Sequence, residues 1–489
     1  MSVYDNSLAS GRRKYNVGII GAGAAGIAAA KSAVQIGCRA ILIEKSEKHW
    51  GGNFHSGCVS SKALIRSAEV WSLARRAEEF GLPKLELPPV CMDQLTKRLG
   101  PLIKTIREKD SPEHFRSLDV EVKFGEARFK DNQTVLLDGE CVTAGAWIIA
   151  TGSRPAIPEI EGLEEVPYWT TDTVFSMERL PDRLLVLGGG STGVEIAQIF
   201  RRLGSEVTII EREQQLLPYE DEDIASFLEN RLEAEGVHVR TGTTPVKVEA
   251  AESSVRIMVR RTADETQSWT IEGDALLVAA GRAPNTEDMN LKELKVPFFP
   301  RGIPTYPSTR TAVRGIYACG DVNGMFPYAH VAEDEARVAI SNILLKVPAR
   351  VDYSKIPWCT YTDPEIASVG FNENRAKAGG VEYRLQTAVF RDVDRALMDG
   401  ASEGMIKILT DNKGVVLGCQ IAGSRAGELI HEWTALVNSH AKIADIAKLV
   451  HAYPTLSCIT KKATGSFDSF RFVGERTQKL IRFLLNLRR

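Results

Sequence analysis

The chain has 489 residues, a formal net charge of −2, 44% hydrophobic residues and 25% charged residues. A chain of this length is expected to form two to four domains. The balanced charge argues against a nucleic-acid partner, which usually leaves a basic footprint, and no apolar run of about 18 residues is present to cross a membrane. The N-terminal segment MSVYDNSLASGRRKYN lacks the apolar core of a signal peptide, so we expect a cytoplasmic protein.

Eight cysteines are scattered along the chain without a CxxC pair and without a dense Cys/His cluster. This distribution predicts no zinc or other metal site. Most of the cysteines are interpreted as small buried apolar residues. The exceptions are Cys58 and Cys458, which fall within motifs discussed below.

The first predicted element is a β-strand over 17–20, which runs directly into the turn GAGAAG. The glycines of this turn are Gly21, Gly23 and Gly26, and a predicted helix over 27–35 leads to a second strand over 40–43 that ends at Glu44. In a dinucleotide-binding unit the first glycine makes the tight turn, the second lets the backbone approach a pyrophosphate, and the third lets helix and strand pack closely. The pyrophosphate lies at the helix N-terminus, and the acid accepts hydrogen bonds from ribose hydroxyls.

A second unit repeats this order of strand, turn, helix, strand and acid. A predicted strand over 184–187 leads to the glycines Gly188, Gly190 and Gly193, a helix over 194–203, and a strand over 207–210 that ends at Glu211. A lone GxGxxG turn is weak support for a nucleotide site. Two copies with flanking strands and matching acids predict two dinucleotide-binding sites.

Three further apolar strands close these units, over 147–150, 275–280 and 315–319. Because the last of them follows the second unit, the second unit is predicted to be inserted into the first. From about residue 349 the pattern changes to strands over 405–409 and 415–421 and helices over 426–440 and 443–450. The predicted fold is α/β, with two Rossmann-like domains, one inserted in the other, and a C-terminal α+β domain. The predicted limits are 1–155 with 282–348, then 156–281, then 349–489.

The order of the motifs resembles the pyridine nucleotide–disulfide oxidoreductases, over about residues 15–464. The stretches 395–400 and 422–430 look most like the dihydrolipoamide dehydrogenase and mercuric reductase branch. The resemblance implies FAD on the first unit, a nicotinamide dinucleotide on the second, and a homodimer formed through the C-terminal domain. The motifs that carry it are GAGAAG, SGCVSSKAL, ATGSRP, GGGSTGVE, AAGRAPNT, ACGDVNG, TDPEIASVG and HAYPTLS.

The resemblance also implies roles for individual residues. Glu44 holds the adenosine ribose of FAD, Asp321 holds the flavin side chain, and Lys62 with Glu195 forms the ion pair beside the flavin N5 atom. Further positions expected at the cofactors are Lys45, Gly52, Thr151, Gly152, Gly281, Arg282 and Gly320.

The choice between NADH and NADPH depends on Glu211. A carboxylate at this strand end accepts from a 2′-hydroxyl and repels a 2′-phosphate. Arg212, together with Arg201 or Arg202, is a candidate to offset that repulsion. We expect NADH to be preferred.

The sequence departs from the family at the positions that reduce disulfides. The first position of the family's CxxxxC pair holds Asn53, so that of this pair Cys58 alone remains. In the family's HxHPTxxE pattern the base position is Tyr453 and the acid position is Cys458. A tyrosine with a pKa near 10 is a poor base for a thiol at neutral pH. We therefore expect an FAD-dependent NAD(P)H oxidoreductase that passes electrons to a small-molecule acceptor other than a disulfide, such as a quinone or a metal ion.

Two alternatives remain open. In the first, Cys58 works as a single-cysteine thiol or mixed-disulfide reductase, with a thiol pKa lowered by a helix N-terminus, or pairs with Cys458 of the partner subunit. In the second, the protein is a flavin-bearing sensor or partner-binding subunit, because residues 467–489 extend past the family's usual end as a basic, apolar helix. Packing of this helix on its own dimer is favoured over a weak membrane-surface contact.

Overall fold

The computed structural model describes residues 14–52, 57–465 and 475–486. Up to residue 155, the described part of the first unit contains seven strands and four α-helices. They are β1 Tyr15–Ile20, α1 Ala24–Gln35, β2 Ala40–Glu44, α2 Val59–Arg75, α3 Met92–Glu108, α4 Pro112–Ser117, β3 Glu121–Phe124, β4 Ala127–Phe129, β5 Thr134–Leu137, β6 Glu140–Ile149 and β7 Ser153–Pro155.

The first unit is built on a sheet in which β3, β2, β1 and β6 lie side by side and parallel. Its central strands are short apolar runs that are buried on both faces, as expected for parallel strands covered by helices. Strand β6 is longer than predicted because its N-terminal half pairs antiparallel with β5, and β4 continues that meander.

The inserted unit repeats this architecture. Its parallel sheet has the order β11-β10-β9-β15-β8, and β12, β13 and β14 form a separate antiparallel meander. The elements are β8 Trp169–Thr170, β9 Arg183–Leu187, α5 Ser191–Leu203, β10 Glu206–Ile210, α6 Glu222–Ala234, β11 Val237–Arg240, β12 Thr243–Ala250, β13 Val255–Arg261, β14 Ser268–Gly273 and β15 Ala275–Val278.

The chain then returns to the first unit, which confirms the predicted insertion. Strand β16 (Arg282–Pro284) pairs antiparallel with β7, so the two crossings between the units run side by side. Strand β17 (Ile316–Ala318) joins the first sheet beside β6, and helix α7 (Ala329–Ile340) packs against α1.

The C-terminal domain is an antiparallel sheet of order β18-β19-β22-β21-β20 with helices packed against it. Its elements are β18 Pro357–Thr360, β19 Glu365–Gly370, α8 Glu373–Ala378, β20 Arg384–Val389, α9 Asp394–Met398, β21 Met405–Thr410, β22 Val416–Gly423, α10 Ala426–Asn438, α11 Ile443–Ile446, α12 Cys458–Thr464 and α13 Glu475–Asn486.

One predicted helix is shorter than expected. The sequence pattern predicts a helix over 443–450, but α11 ends at Ile446. Leu449 and Val450 are exposed on the single subunit, so the burial that stabilises a short helix is absent beyond Ile446. Within the three described ranges, no helix is both long enough and apolar enough to cross a membrane.

Candidate functional site: two dinucleotide cradles and a lysine–glutamate pair

The first glycine turn has the three properties that a pyrophosphate cradle requires. Gly21 has a φ of 103°, which favours glycine, and a Cβ there would collide with the carbonyl of Ala150. A Cβ on Gly26 would collide with the carbonyl oxygen of Gly21, whereas a Cβ on Gly23 would meet nothing within 4 Å. The turn is therefore tight and closely packed behind, and it is open where a ligand approaches. Gly52 lies beside it, since a Cβ there would be 3.5 Å from the Cα atom of Gly23.

The second glycine turn has the same geometry. Gly188 has a φ of 115° and lies against the carbonyl of Ala279, and a Cβ on Gly193 would collide with the carbonyl oxygen of Gly188. A Cβ on Gly190 would meet no other atom within 4 Å. Both turns therefore fit a dinucleotide.

Each turn opens a helix whose N-terminus is suited to an anion. Helix α1 begins after Gly23 and α5 after Gly190, and neither helix has an acidic side chain in its first turn. The free N–H groups and the helix dipole of such an N-terminus favour a phosphate. Both helices begin three residues earlier than predicted, so the third glycine lies within the first helical turn.

The two acids at the strand ends have matching hydrogen bonds. Glu44 accepts from the backbone N–H of Ala22 at 2.6 Å and from that of Lys45 at 2.6 Å. Glu211 accepts from the N–H of Gly189 at 2.6 Å and from that of Glu213 at 2.7 Å. Both carboxylates are therefore fixed beside their glycine turns, where a ribose follows the pyrophosphate. Burial raises the pKa of Glu44 despite its two N–H donors.

The arginines proposed to offset Glu211 do not serve that purpose. Arg201 donates to the carbonyl oxygens of Glu235 and Ser205. Arg202 is buried, and its guanidinium pairs with Glu235 at 2.6 Å and with Asp363 at 2.8 Å. The expectation that either arginine balances the Glu211 charge is wrong, because both are held elsewhere.

Arg212 pairs with Glu213 on the surface at 3.2 Å. Lys45 likewise forms an exposed ion pair, with Glu126 at 3.1 Å. Neither side chain is buried by the cradle next to it.

The ends of the closing strands are joined to one another. Thr151 donates through Oγ1 to the carbonyl oxygen of Asn285 at 2.7 Å, and the Asn285 amide returns a bond to the carbonyl of Thr151 at 2.9 Å. The backbone N–H of Asn285 also donates to the carbonyl of Gly152. These bonds fasten the ATG turn to the segment that follows Gly281, which has a φ of 108°.

Asp321 lies in a polar cluster at the end of β17. Its Oδ2 atom accepts from the Ser153 hydroxyl at 2.5 Å, and the Nε atom of Arg282 is 3.8 Å away. The Arg282 guanidinium also donates to Ser153 and pairs with Asp172 at 3.0 Å. The N–H of Gly320 donates to the buried carboxylate of Glu335 at 2.6 Å. Sequence reasoning missed Ser153, although it lies in the quoted ATGSRP motif.

Lys62 and Glu195 form the expected ion pair. Lys62 is on α2 and Glu195 is on α5, and the Nζ atom lies 2.8 Å from Oε2. Glu195 is only 4% exposed, whereas Lys62 is 38% exposed. The other oxygen of Glu195 accepts from the backbone N–H of Tyr361 at 2.8 Å. The pair thus combines a fixed, buried carboxylate with an ammonium group that reaches solvent.

Cys58 immediately precedes helix α2, in the same segment as Lys62. Its side chain is accessible to solvent in one subunit, yet the protein packed around the sulfur desolvates the thiolate and raises the pKa of the thiol, against the opposing charge of Lys62. The expectation of a lowered thiol pKa at this helix N-terminus is therefore wrong. Asn53, at the other position of the family's cysteine pair, lies outside the described residues.

The residues at the family's base and acid positions contact other groups of the C-terminal domain. The Tyr453 side chain is 70% exposed, and its hydroxyl donates to Asp394 at 2.8 Å, which raises the pKa of Tyr453. His451 is bound by Glu432 at 3.0 Å, and the sulfur of Cys458 lies 3.7 Å from the carbonyl oxygen of Ala452. The raised pKa lowers the fraction of tyrosinate at neutral pH, so that less of Tyr453 is ionised to accept a proton than in a free tyrosine.

The fold and the site together define a dinucleotide-binding oxidoreductase with two nucleotide sites and a dimerisation domain. The family model "Pyridine nucleotide-disulphide oxidoreductase" matches residues 15–336, and the model of that family's dimerisation domain matches residues 356–464. The chain belongs to the pyridine nucleotide–disulphide oxidoreductase family. It is an FAD-dependent enzyme that uses a pyridine nucleotide, and its dimerisation domain makes it a homodimer.

Two curated relatives and one solved structure illustrate the similarity. A dihydrolipoyl dehydrogenase of Thermus scotoductus is 35% identical over 452 residues, covering 91% of this chain and 95% of the relative. A mercuric reductase of Staphylococcus aureus is 31% identical over 457 residues, covering 93% and 82%. The crystal structure of LpdA from Mycobacterium tuberculosis has a TM-score of 0.83 at 27% identity, covering 92% of this chain and 99% of that one.

Proposed function

We propose that the enzyme transfers a hydride from NADH to FAD and passes the electrons to a small-molecule acceptor other than a disulfide, such as a quinone or a metal ion. One observation carries this proposal: the Lys62–Glu195 pair and both dinucleotide cradles are intact, whereas the position of the first redox cysteine is Asn53. Asparagine forms no disulfide, so the usual thiol relay through this pair is not available.

The proposal assigns residues 1–155 and 282–348 to FAD, and residues 156–281 to the nicotinamide dinucleotide. When bound, FAD supplies a ring that accepts two electrons as a hydride and releases them to an acceptor. Glu44 and the α1 N-terminus hold the adenosine diphosphate part of FAD, and Asp321 holds its side chain. Lys62 provides positive charge beside the ring, while Glu195 fixes the Lys62 ammonium group.

Two further observations support an acceptor other than a disulfide. The Tyr453 hydroxyl is committed to Asp394 as a donor, so it offers a ligand an aromatic face and an oxygen acceptor rather than a base. The mercuric reductase among the relatives is named for a metal-ion acceptor. A planar or ionic oxidant needs no base of the kind that activates a thiol.

The proposal predicts that NADH-dependent reduction of menadione or ferricyanide survives the substitution Cys58→Ser. We expect the variant to keep at least about half of the wild-type kcat, because the thiol is not in the electron path. Steady-state assays of both proteins, with free FAD as the blank, measure this. Rates no higher than the free-flavin blank would contradict the proposal, and so would loss of all activity in a Cys58→Ser protein that still binds FAD.

NADH is proposed as the preferred nucleotide because none of Arg201, Arg202 and Arg212 balances the charge of Glu211. Arg201 and Arg202 are held by other groups, and Arg212 pairs with Glu213. A 2′-phosphate at Glu211 would therefore meet an uncompensated charge. We expect kcat/KM for NADH to exceed that for NADPH by about tenfold or more, equivalent to about 1.4 kcal/mol.

The substitution Glu211→Gln is expected to reduce this preference several-fold, because it removes the charge and keeps an acceptor for the turn. Glu206→Gln is the matched control, since Glu206 lies exposed at the other end of β10. Equal use of both nucleotides by the wild-type enzyme would refute the NADH preference.

The single-cysteine alternative depends on a reactive thiolate at Cys58. The raised thiol pKa lowers the thiolate fraction at neutral pH, which favours the direct acceptor. Mass spectrometry of Cys58 after treatment with a small disulfide distinguishes the two. A Cys58 thiolate would attack that disulfide, release one half as a thiol and keep the other half as a mixed disulfide, which adds its mass and is removed again if NADH is then supplied.

A partner-binding or membrane-surface role depends on helix α13. Lys479, Arg482 and the large apolar side chains of Phe483, Leu484 and Leu485 are exposed on the single subunit. A basic helix with an apolar face is suited to an anionic lipid surface, but a second copy of the chain would also cover it. Co-sedimentation with anionic vesicles, using the full chain and a chain that ends at residue 465, distinguishes a lipid surface from a second copy of the chain. A lipid contact requires that the full chain sediments with the vesicles and the shortened chain does not.

A further inference from the structure

Tyr361 contacts both members of the Lys62–Glu195 pair. Its backbone N–H donates to Oε1 of Glu195 at 2.8 Å, and the Lys62 ammonium nitrogen lies over its ring, 4.6 Å from the centre. The Lys62 ammonium therefore contacts both the carboxylate of Glu195 and the aromatic face of Tyr361.

The aromatic contact is electrostatic in origin. A cation within about 6 Å of a ring centre is attracted by the negative face of the ring. Tyr361 is 38% exposed, and burial together with neighbouring charge raises the pKa of its hydroxyl to about 12. The ring therefore stays neutral at physiological pH, and its face remains available to the cation.

Tyr361 also links the ion pair to a third part of the chain. It directly follows β18, in the short connection to β19 of the dimerisation domain. Lys62 is on α2 of the first unit, and Glu195 is on α5 of the inserted unit. Residues from all three parts therefore meet at one ammonium–carboxylate pair.

We propose that Tyr361 is a positioning residue for hydride transfer, and this inference rests on the proposed function. The ring fixes where the Lys62 ammonium sits, and the backbone N–H fixes Glu195. The connection between β18 and β19 thereby fixes the position of the positive charge that Lys62 would offer to the FAD ring.

The ring can be tested separately from the backbone. In Tyr361→Leu the N–H bond to Glu195 is retained and the aromatic face is lost, whereas Tyr361→Phe keeps both. We expect flavin reduction by NADH, followed anaerobically in a stopped-flow instrument, to be about threefold to tenfold slower in Tyr361→Leu. Tyr361→Phe is expected to remain within about twofold of the wild type.

A second readout does not depend on turnover. With Lys62 less fixed, the midpoint potential of the bound flavin is expected to become more negative in Tyr361→Leu and to stay unchanged in Tyr361→Phe. The matched control is Tyr306→Leu, which removes another aromatic face, one that lies 5.4 Å from the guanidinium of Arg310. This control is expected to change neither the rate nor the potential.

A graded series guards against a leucine variant that fails to fold. Phenylalanines carrying one, two or three ring fluorines at position 361 keep the shape and weaken the negative face, so rate and potential are expected to fall stepwise. Wild-type values across the series, or equal loss in Tyr361→Phe and Tyr361→Leu, would overturn the proposal.

Flavin reduction by NADH and the midpoint potential report on different properties of the enzyme. If wild-type enzyme is not reduced by NADH, the proposed function fails. The midpoint potential can still be measured with a chemical reductant, and an unchanged potential across the variants would then refute the role of Tyr361 independently.

Discussion

Lys62→Met is expected to slow the reduction of bound flavin by NADH about 10²-fold, because it removes a pre-positioned positive charge from the site of hydride transfer. Methionine keeps an unbranched apolar stem, so the main change is the loss of the ammonium group. Glu195 is nearly buried and would retain the backbone N–H of Tyr361 as its hydrogen-bond donor. An anaerobic stopped-flow measurement of flavin absorbance, with saturating NADH, gives the rate directly.

Two controls isolate the charge from the packing. Lys97→Met removes an exposed lysine from an i,i+4 pair on α3 and is expected to leave the rate unchanged. Lys62→Arg keeps the positive charge, although its planar group does not reproduce the geometry of an ammonium, and it is expected to recover part of the rate. A Lys62→Met enzyme that binds FAD and is reduced at the wild-type rate would show that Lys62 takes no part in the chemistry.

The parts of the site that local chemistry determines could be predicted from the sequence. A Gly21 or Gly188 turn needs a positive φ and close backbone packing, and both requirements can be read from the spacing of glycines between a strand and a helix. The insertion of one unit in the other also follows from chain order, because the closing strand over 315–319 comes after the second unit. Here the sequence-based expectation and the structure agree.

The parts that depend on distant contacts could not be predicted. Arg202 is withdrawn from the nucleotide site by Asp363, which lies 161 positions further along the chain. Burial by the surrounding protein raises the pKa of the Cys58 thiol. Two charged residues from remote segments also act on it: Asp321 raises this pKa and Arg282 lowers it. Tyr361 immediately precedes the quoted TDPEIASVG motif, but nothing in that motif indicates its place against Lys62 and Glu195.

A buried lysine joins the inserted unit to the dimerisation domain. Lys407, on β21, is 1% exposed, and its ammonium group lies 2.9 Å from Asp221, 2.7 Å from Asp223 and 2.8 Å from Glu373. Asp221 also accepts the backbone N–H groups of Glu373 and Asn374. Because Asp221 and Asp223 stand at the start of α6 whereas Glu373 belongs to α8, this cluster fastens the two domains together.

We expect Lys407→Met to destabilise the enzyme by about 3–5 kcal/mol, the usual cost of removing one partner from a buried ion pair. Three carboxylates would be left facing one another with no cation between them. Urea unfolding followed by tryptophan fluorescence measures the change, since Trp358 is buried in the same interface and bonded to Glu220. Protein concentration must be held constant because the enzyme is a homodimer.

Lys377→Met is the matched control, since Lys377 approaches the same Glu373 at 3.8 Å but is 65% exposed. Exposed pairs contribute little, so a loss below about 0.5 kcal/mol is expected. If Lys407→Met lowered the free energy of unfolding by no more than Lys377→Met does, a stabilising role for the buried cluster would be refuted.

The pH dependence of this cluster follows from the charges that surround Lys407. Burial opposes ionisation of Glu373, but hydrogen bonds from Lys407 and Tyr383 outweigh it, and the pKa of Glu373 lies below its ordinary value. Its contribution to stability is therefore present above the unfolded-state pKa of about 4.3 and is lost as pH falls through the lower folded-state pKa. Burial likewise opposes the charge on Lys407, but its three carboxylates raise the pKa, so this contribution is present below about pH 10.4 and is lost at higher pH.

Between these limits the stability difference between wild type and Lys407→Met is expected to be constant, and it should shrink on acidification as the facing carboxylates become protonated. A difference that instead grew toward low pH would mean that the cluster is held by something other than its charges.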